Sequence, residues 1–214
     1  MTEPTTLSLH TLPEPAARIV QDTPVPPPLL AHLILVHDVA VRLVTGMRRL
    51  WPSLAFDMEA VTFGAAIHDL GKLLHPEEMT GPGEAHRIAG PEFLIEEYGV
   101  DPALARFART HGNWHTIADL LLEDLLVALA DQIWKGSREE SLEAMLTTWI
   151  AGATEQEPWE VFMALDELLT TLAADADKRL MWQAQYMPSR EAAEAGAFQP
   201  TPPPEDEDQV SGNG

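Results

Sequence analysis

Apolar residues recur at helical spacing between Leu29 and Leu50, at Leu30, Leu33, Ile34, Val36, Val41, Leu43, Val44, Met47 and Leu50. The pattern predicts a long helix buried on much of its surface, ended by Trp51-Pro52-Ser53. Asp57 is placed to cap a second helix through Ala60, Phe63, Ala66, Ile67 and Leu70, with Glu59 near the positive end of its dipole. Gly71 then reads as the stop, because glycine takes the left-handed conformation without a steric penalty. Pro76, Gly81, Pro82 and Gly83 mark a loop. Glu84 to Tyr98 predicts a helix that Gly90-Pro91 kinks or divides and Gly99 closes. Asp101-Pro102 is a cap followed by a first-turn proline, and opens a helix through Phe107 to His111. Gly112-Asn113 stops it.

Further along, Ile117 to Trp134 is dominated by Leu and Ala and predicts a helix stopped by Gly136. Ser137-Arg138-Glu139-Glu140 has the form of a capping box for a helix reaching about Ile150. Glu157-Pro158 begins a last helix through Leu165 and Leu172 toward Trp182. No strand alternation and no internal repeat interrupts this series. The expectation is an all-α chain, a single helical-bundle domain of six or seven helices over residues 29–186. Residues 1–28 form a Pro-rich segment whose composition favours extended structure, with a helical turn over Ala16–Gln21. Residues 187–214 are a Pro-rich acidic tail, disordered by composition.

Charge changes the functional picture more than the structural one. Thirteen Lys and Arg stand against 34 Asp and Glu, a formal net charge of −21. Such a surface repels polyphosphate backbones and argues against a nucleic-acid polymer as partner. A small phosphorylated substrate stays open, since bound cations reverse a local field. The absence of cysteine removes disulfides and thiolate metal sites. Ala31 to Val44 is the most apolar stretch, yet His32, His37, Asp38 and Arg42 interrupt it. No uninterrupted apolar run approaches the roughly 18–20 residues of a bilayer span. With no signal-peptide pattern at the N-terminus, the expectation is a cytoplasmic protein that binds no membrane.

Chemistry concentrates at Ile67-His68-Asp69-Leu70-Gly71-Lys72. His68 and Asp69, read as the last turn of an apolar helix, can reach one metal ion, or the carboxylate can bridge two. His37 lies within the first long helix, where an unpaired polar group is costly; a hydrogen-bonded core histidine is the structural alternative. His32, five positions earlier, projects from another face and is read as a non-ligand. His86 stands near the start of the helix after the loop, and His111 at the end of the next. Asp131 sits in an apolar helix and needs a cation or several donors, a salt bridge being the alternative. His10 and His75 fall in loops.

The order His37, His68-Asp69, His86, His111, Asp131 resembles the HD superfamily of metal-dependent phosphohydrolases, over about residues 29 to 136. Its most specific parts are Ala66-Ile67-His68-Asp69-Leu70-Gly71-Lys72 and Leu129-Ala130-Asp131. His86-Arg87-Ile88-Ala89-Gly90 and Ala105-Arg106-Phe107-Ala108-Arg109-Thr110-His111 look like the branch with two extra histidines, which binds two metals and includes symmetrical diadenosine tetraphosphate hydrolases. The Gly-Tyr-Pro signature of the related cyclic-dinucleotide phosphodiesterases is not found.

The resemblance implies that His37, His68, Asp69 and Asp131 hold a first divalent metal. His86 and His111 would hold a second, with Asp69 bridging; Mn, Fe, Co, Mg and Zn all suit such donors. It implies hydrolysis of a phosphoester or phosphoanhydride of a small nucleotide by metal-activated water. Lys72 would contact a phosphate oxygen. Three roles are open to His115: phosphate binding, general acid, or ligand in place of His111. Arg87, Lys135 and Arg138 are further phosphate candidates, and Trp114 and Trp134 are candidates to stack on a base. Two other functions compete: a non-catalytic metal- or nucleotide-binding regulator, and an interaction module whose tails recruit a protein partner.

Overall fold

Helix α2 (Pro27–Leu50) packs against α3 (Met58–Ile67), α7 (Leu122–Ile133) and α9 (Pro158–Ala173), and ties the molecule together. The computed structural model describes residues 7–187. In chain order the other helices are α1 (Glu14–Asp22), α4 (Ala85–Tyr98), α5 (Pro102–Ala105), α6 (Phe107–Asn113), α8 (Glu140–Thr154) and α10 (Ala176–Ala184). Short 3-10 turns occupy Leu70–Leu73, Pro76–Met79 and Trp114–Thr116. Among the described residues there is no strand, so the all-α expectation holds.

Two apolar clusters build the interior. One joins the body of α2 to α7, α8 and α9 through Leu43, Met47, Leu126, Leu129, Leu146 and Leu169. The other joins Leu29 and Leu33 of α2 to Ile19, Ile67, Leu70, Leu94 and Ala108. By length and hydropathy alone α2 would pass for a membrane span, with a mean hydropathy of 1.6 in its most apolar window. Fourteen of its 24 residues are buried against neighbouring helices, which accounts for that composition.

Several predicted boundaries shift, each for a local reason. Asp57 caps α3 as expected, its Oδ1 accepting the Ala60 N–H at 3.0 Å. The helix does not run to Leu70. It ends at His68, and Asp69 (φ −103°, ψ 4°) opens a 3-10 turn. Gly71 is not in the left-handed region that a helix-stopping glycine occupies; among the described residues positive φ falls at Gly99, Gly136 and Glu155. Gly71 is required for close approach instead. A Cβ there would stand 2.3 Å from the His86 carbonyl oxygen and 2.9 Å from Gly90 Cα.

Pro91 lies inside an undivided α4. The helix expected from Asp101 to His111 is divided at Arg106, and the one expected from Glu157 toward Trp182 at Ala174-Asp175. Residues 117–121 precede α7 rather than belonging to it. Asp124 Oδ2 accepts the Leu121 N–H at 2.8 Å and fixes the start. The Ser137 capping box does not form, because Glu140 is the first residue of α8. Arg138 there turns onto Glu143 at 2.6 Å and Asp166 at 2.8 Å.

The chain before residue 29 is not only extended. Helix α1 buries Ala16 and Ile19. Leu7 and Leu9 lie against the larger cluster. Arg42 donates to the Ser8 carbonyl at 2.7 Å, and Asp38 accepts the His10 N–H at 3.0 Å. The tail expected over 187–214 lies, beyond Met187, outside the described residues.

Candidate metal centre

Where the two apolar clusters meet, four imidazoles and two carboxylates converge. His32 arrives from α2, His68 and Asp69 from the end of α3, His86 from the first turn of α4, His111 from α6 and Asp131 from α7. Buried apolar residues such as Leu33, Ile67, Ala108 and Ala130 fix the backbone beneath the residues from α2, α3, α6 and α7. Asp69 and His68 are 3% and 0% exposed.

Asp69 divides its oxygens between two groups. Its Oδ2 lies 3.2 Å from His32 Nε2 and 3.7 Å from His68 Nε2. Asp131 Oδ1 completes that side, 3.4 Å from His32 Nε2 and 3.6 Å from His68 Nε2. Asp69 Oδ1 faces the other way, 3.3 Å from His86 Nε2 and 3.5 Å from His111 Nε2. It is buried and accepts no hydrogen bond. Lys72 Nζ closes the edge of the cluster, 2.5 Å from Asp69 Oδ2.

The outer ring nitrogens explain which atoms face inward. His68 Nδ1 is 2.9 Å from the Ala65 carbonyl, and His111 Nδ1 is 3.1 Å from that of Phe107. His86 Nδ1 is 2.5 Å from Glu78 Oε2. An imidazole that donates its Nδ1–H outward leaves a lone pair on Nε2, so three lone pairs point at one small space. Burial lowers the His111 pKa to about 4, helped by the charge of His68, so the ring is neutral at pH 7.

The electrostatics favour positive charge at the centre. Burial alone would raise the Asp69 pKa, but His68 first, with the His32 and His86 rings beside it, holds it well below the usual carboxylate range. Asp131, likewise opposed by burial, is brought to about 2 by His68. His68 is raised against its own burial by Asp69 and Asp131. Glu78 is lowered to about 2, with the His86 backbone N–H as the main cause.

This set fits divalent cations. Ligands at right angles about 2.1 Å from one ion stand about 3 Å apart, close to the spacings seen. A cation would partner the orphaned Asp69 Oδ1 and the ring nitrogens that face it. His32, His68 and Asp131 offer one compact trio, and His68, Asp69 and His111 another.

The expected ligand set is brought together except at one position. His37 is buried but points elsewhere, Nδ1 to the Thr62 carbonyl and Nε2 to the Thr11 carbonyl, each at 3.0 Å. The structure corrects the choice between the two α2 histidines, because His32 occupies the place assigned to His37. Both faces of α2 are covered by other elements, so helical spacing separated the pair without showing which faces the site. Glu78 was also overlooked, and its loop position eight residues before His86 carries no periodic signal.

Other expected residues are scattered. His111, not His115, enters the cluster; His115 is exposed, its ring edge-on to Trp114 at 5.4 Å. Arg87 packs over Gly112 between α4 and α6, with a buried Nε that has no hydrogen-bond partner. Lys135 is exposed, and Arg138 is committed to Glu143 and Asp166. Trp134 lies against His32 with ring centroids 5.2 Å apart, as core packing at the site's edge. Trp114 packs partly buried on the larger cluster.

A family model described as the HD domain matches residues 29–134, the span that carries all six clustered residues. No curated protein and no solved structure matches the chain.

Proposed function

We propose that this chain, whose residues 29–134 form an HD domain, is a metal-dependent phosphohydrolase acting on a small nucleotide or related phosphorylated molecule. HD domains are typically metal-dependent phosphohydrolases, which supports the reaction class. The observation that carries the reading is the division of Asp69. One oxygen faces His32 and His68, and the other, without a hydrogen bond, faces His86 and His111.

His32, His68 and Asp131 would hold one divalent ion with Asp69 Oδ2, and His86 and His111 a second with Asp69 Oδ1. Bound there, such ions supply Lewis acidity toward a phosphoryl oxygen and lower the pKa of water near neutrality. The chain's own residues do the rest. The Nδ1 partners of His68, His86 and His111 hold their rings in register, and the surrounding apolar side chains limit water access. Lys72, beside Asp69, places an ammonium where a phosphate oxygen would meet it and stabilises charge developing there. Arg87 is held against Glu84 and over Gly112, which leaves this role to Lys72. His115, exposed on the 3-10 turn after α6, stands outside the cluster.

Metal analysis followed by an activity screen tests this. The substrates are nucleotides, dinucleoside polyphosphates and cyclic dinucleotides, each with Mn, Co, Fe and Mg. Metal-dependent hydrolysis of at least one class is expected. A protein that takes up no metal and turns over none of them overturns the proposal.

A further inference from the structure

Glu78 stands on the 3-10 turn Pro76–Met79, in the loop between the His68-Asp69 pair and α4. Its carboxylate nevertheless serves α4. Oε1 accepts the Ala85 N–H and Oε2 the His86 N–H, both at 3.0 Å. These are among the helix-starting donors that have no partner within the helix. Oε2 also meets His86 Nδ1 at 2.5 Å, and the residue is only 9% exposed.

A neutral imidazole carries one N–H, and two buried carboxylates flank this ring. Glu78 is at 2.5 Å from Nδ1, and Asp69 Oδ1 at 3.3 Å from Nε2. A proton on Nε2 would satisfy Asp69 Oδ1 and block that nitrogen as a ligand. A proton on Nδ1 satisfies Glu78 and leaves the lone pair facing Asp69. The shorter contact selects the second arrangement.

We propose that Glu78 is a positioning residue for the His86 half of the metal centre, fixing the ring in its ligating tautomer and tying that half to the docking of the 75–84 loop. This rests on the metal-binding reading above. Gly83 belongs to the same device. A Cβ at Gly83 would stand 2.1 Å from Glu78 Oε1, so any larger residue pushes the carboxylate off the start of α4.

The test uses the full chain, with Mn²⁺ as the probe. Wild-type protein should bind two equivalents. Glu78→Gln should keep the first at wild-type affinity and bind the second about 10–100-fold more weakly. Gly83→Ala, which keeps the carboxylate but displaces it, should give the same split. In metal-free protein, ¹⁵N spectra should show His86 protonated on Nδ1 in the wild type and moved toward Nε2 in both variants.

Folded variants that bind both equivalents like wild type overturn the proposal. So does equal weakening of both equivalents with the His86 tautomer unchanged, which is the result of a purely structural cap. If neither variant folds, a wild-type His86 protonated on Nε2 still overturns it. Wild-type protein that binds no Mn²⁺ is a separate result, which sinks the metal reading beneath it.

Discussion

His32 Nε2 lies 3.2 Å from His68 Nε2, although the two residues are 36 positions apart and come from different helices. With His68 Nδ1 directed at the Ala65 carbonyl, two nitrogens and the Asp131 carboxylate are gathered around one point. Helix α2 thus enters the site through His32, while His37 holds the N-terminal segment to α3.

Alanine substitution at these two histidines should therefore separate metal binding from stability. His32→Ala is expected to lose the metal of the Asp131 side and, with it, turnover. His37→Ala should retain both metals when folded and lose about 1–3 kcal/mol of stability, the usual cost of leaving buried polar groups without partners. Metal content by mass spectrometry and urea unfolding distinguish the two. Loss of metal in His37→Ala with normal stability would reverse the assignment.

Asp69 is the group both halves share. Asp69→Asn should lose both metals and reduce turnover to background, whereas His86→Ala should remove one metal and leave the other. Equilibrium dialysis against Mn²⁺ gives the stoichiometries. Two equivalents retained by His86→Ala would show that the second site lies elsewhere.

His37 also predicts a pH dependence. Burial lowers its pKa below the ordinary 6.5, against the Thr62 and Thr11 carbonyls that raise it. As pH falls through 6.5, the unfolded chain takes up this proton before the folded one does, so stability falls on acidification. Chelator-treated wild-type protein should lose more unfolding free energy between pH 7.5 and 5.5 than His37→Asn does. An equal loss in both would mean that His37 does not contribute.

Gly71→Ala tests the close approach behind the site. The added methyl meets the His86 carbonyl and Gly90, backbone that cannot swing aside. The expected cost is about 1–3 kcal/mol, as for other overpacked positions, with weaker metal binding because His86 and Asp69 are pushed apart. Thermal unfolding and a Mn²⁺ titration read the two effects. Wild-type behaviour in both would show that the 3-10 turn relaxes freely.

Much of this arrangement was legible in the residues alone. The apolar periodicity of 29–50 and 117–134, the Asp57 and Asp101 caps and the Gly99 and Gly136 stops all act within a few residues of themselves. Local chemistry of that kind survives without knowledge of the fold. The adjacent pair His68-Asp69 announced itself for the same reason, Asp131 stood out as a carboxylate on an apolar helix, and His86 and His111 followed from the resemblance to HD phosphohydrolases.

Tertiary structure decided what spacing could not. Both sides of α2 are buried, so whether His32 or His37 faced the centre depended on where α3, α7 and the N-terminal segment packed. Gly71 had to be a glycine because α4 passes against it, a contact invisible along the chain. Glu78 reached His86 by the folding back of a loop, where no period governs position. Local pattern was enough for an all-helical chain and for the His and Asp residues that could hold a metal. Only packing chose which histidine of α2 joins it, because that choice is made by the helices on either side and not by the helix that carries both.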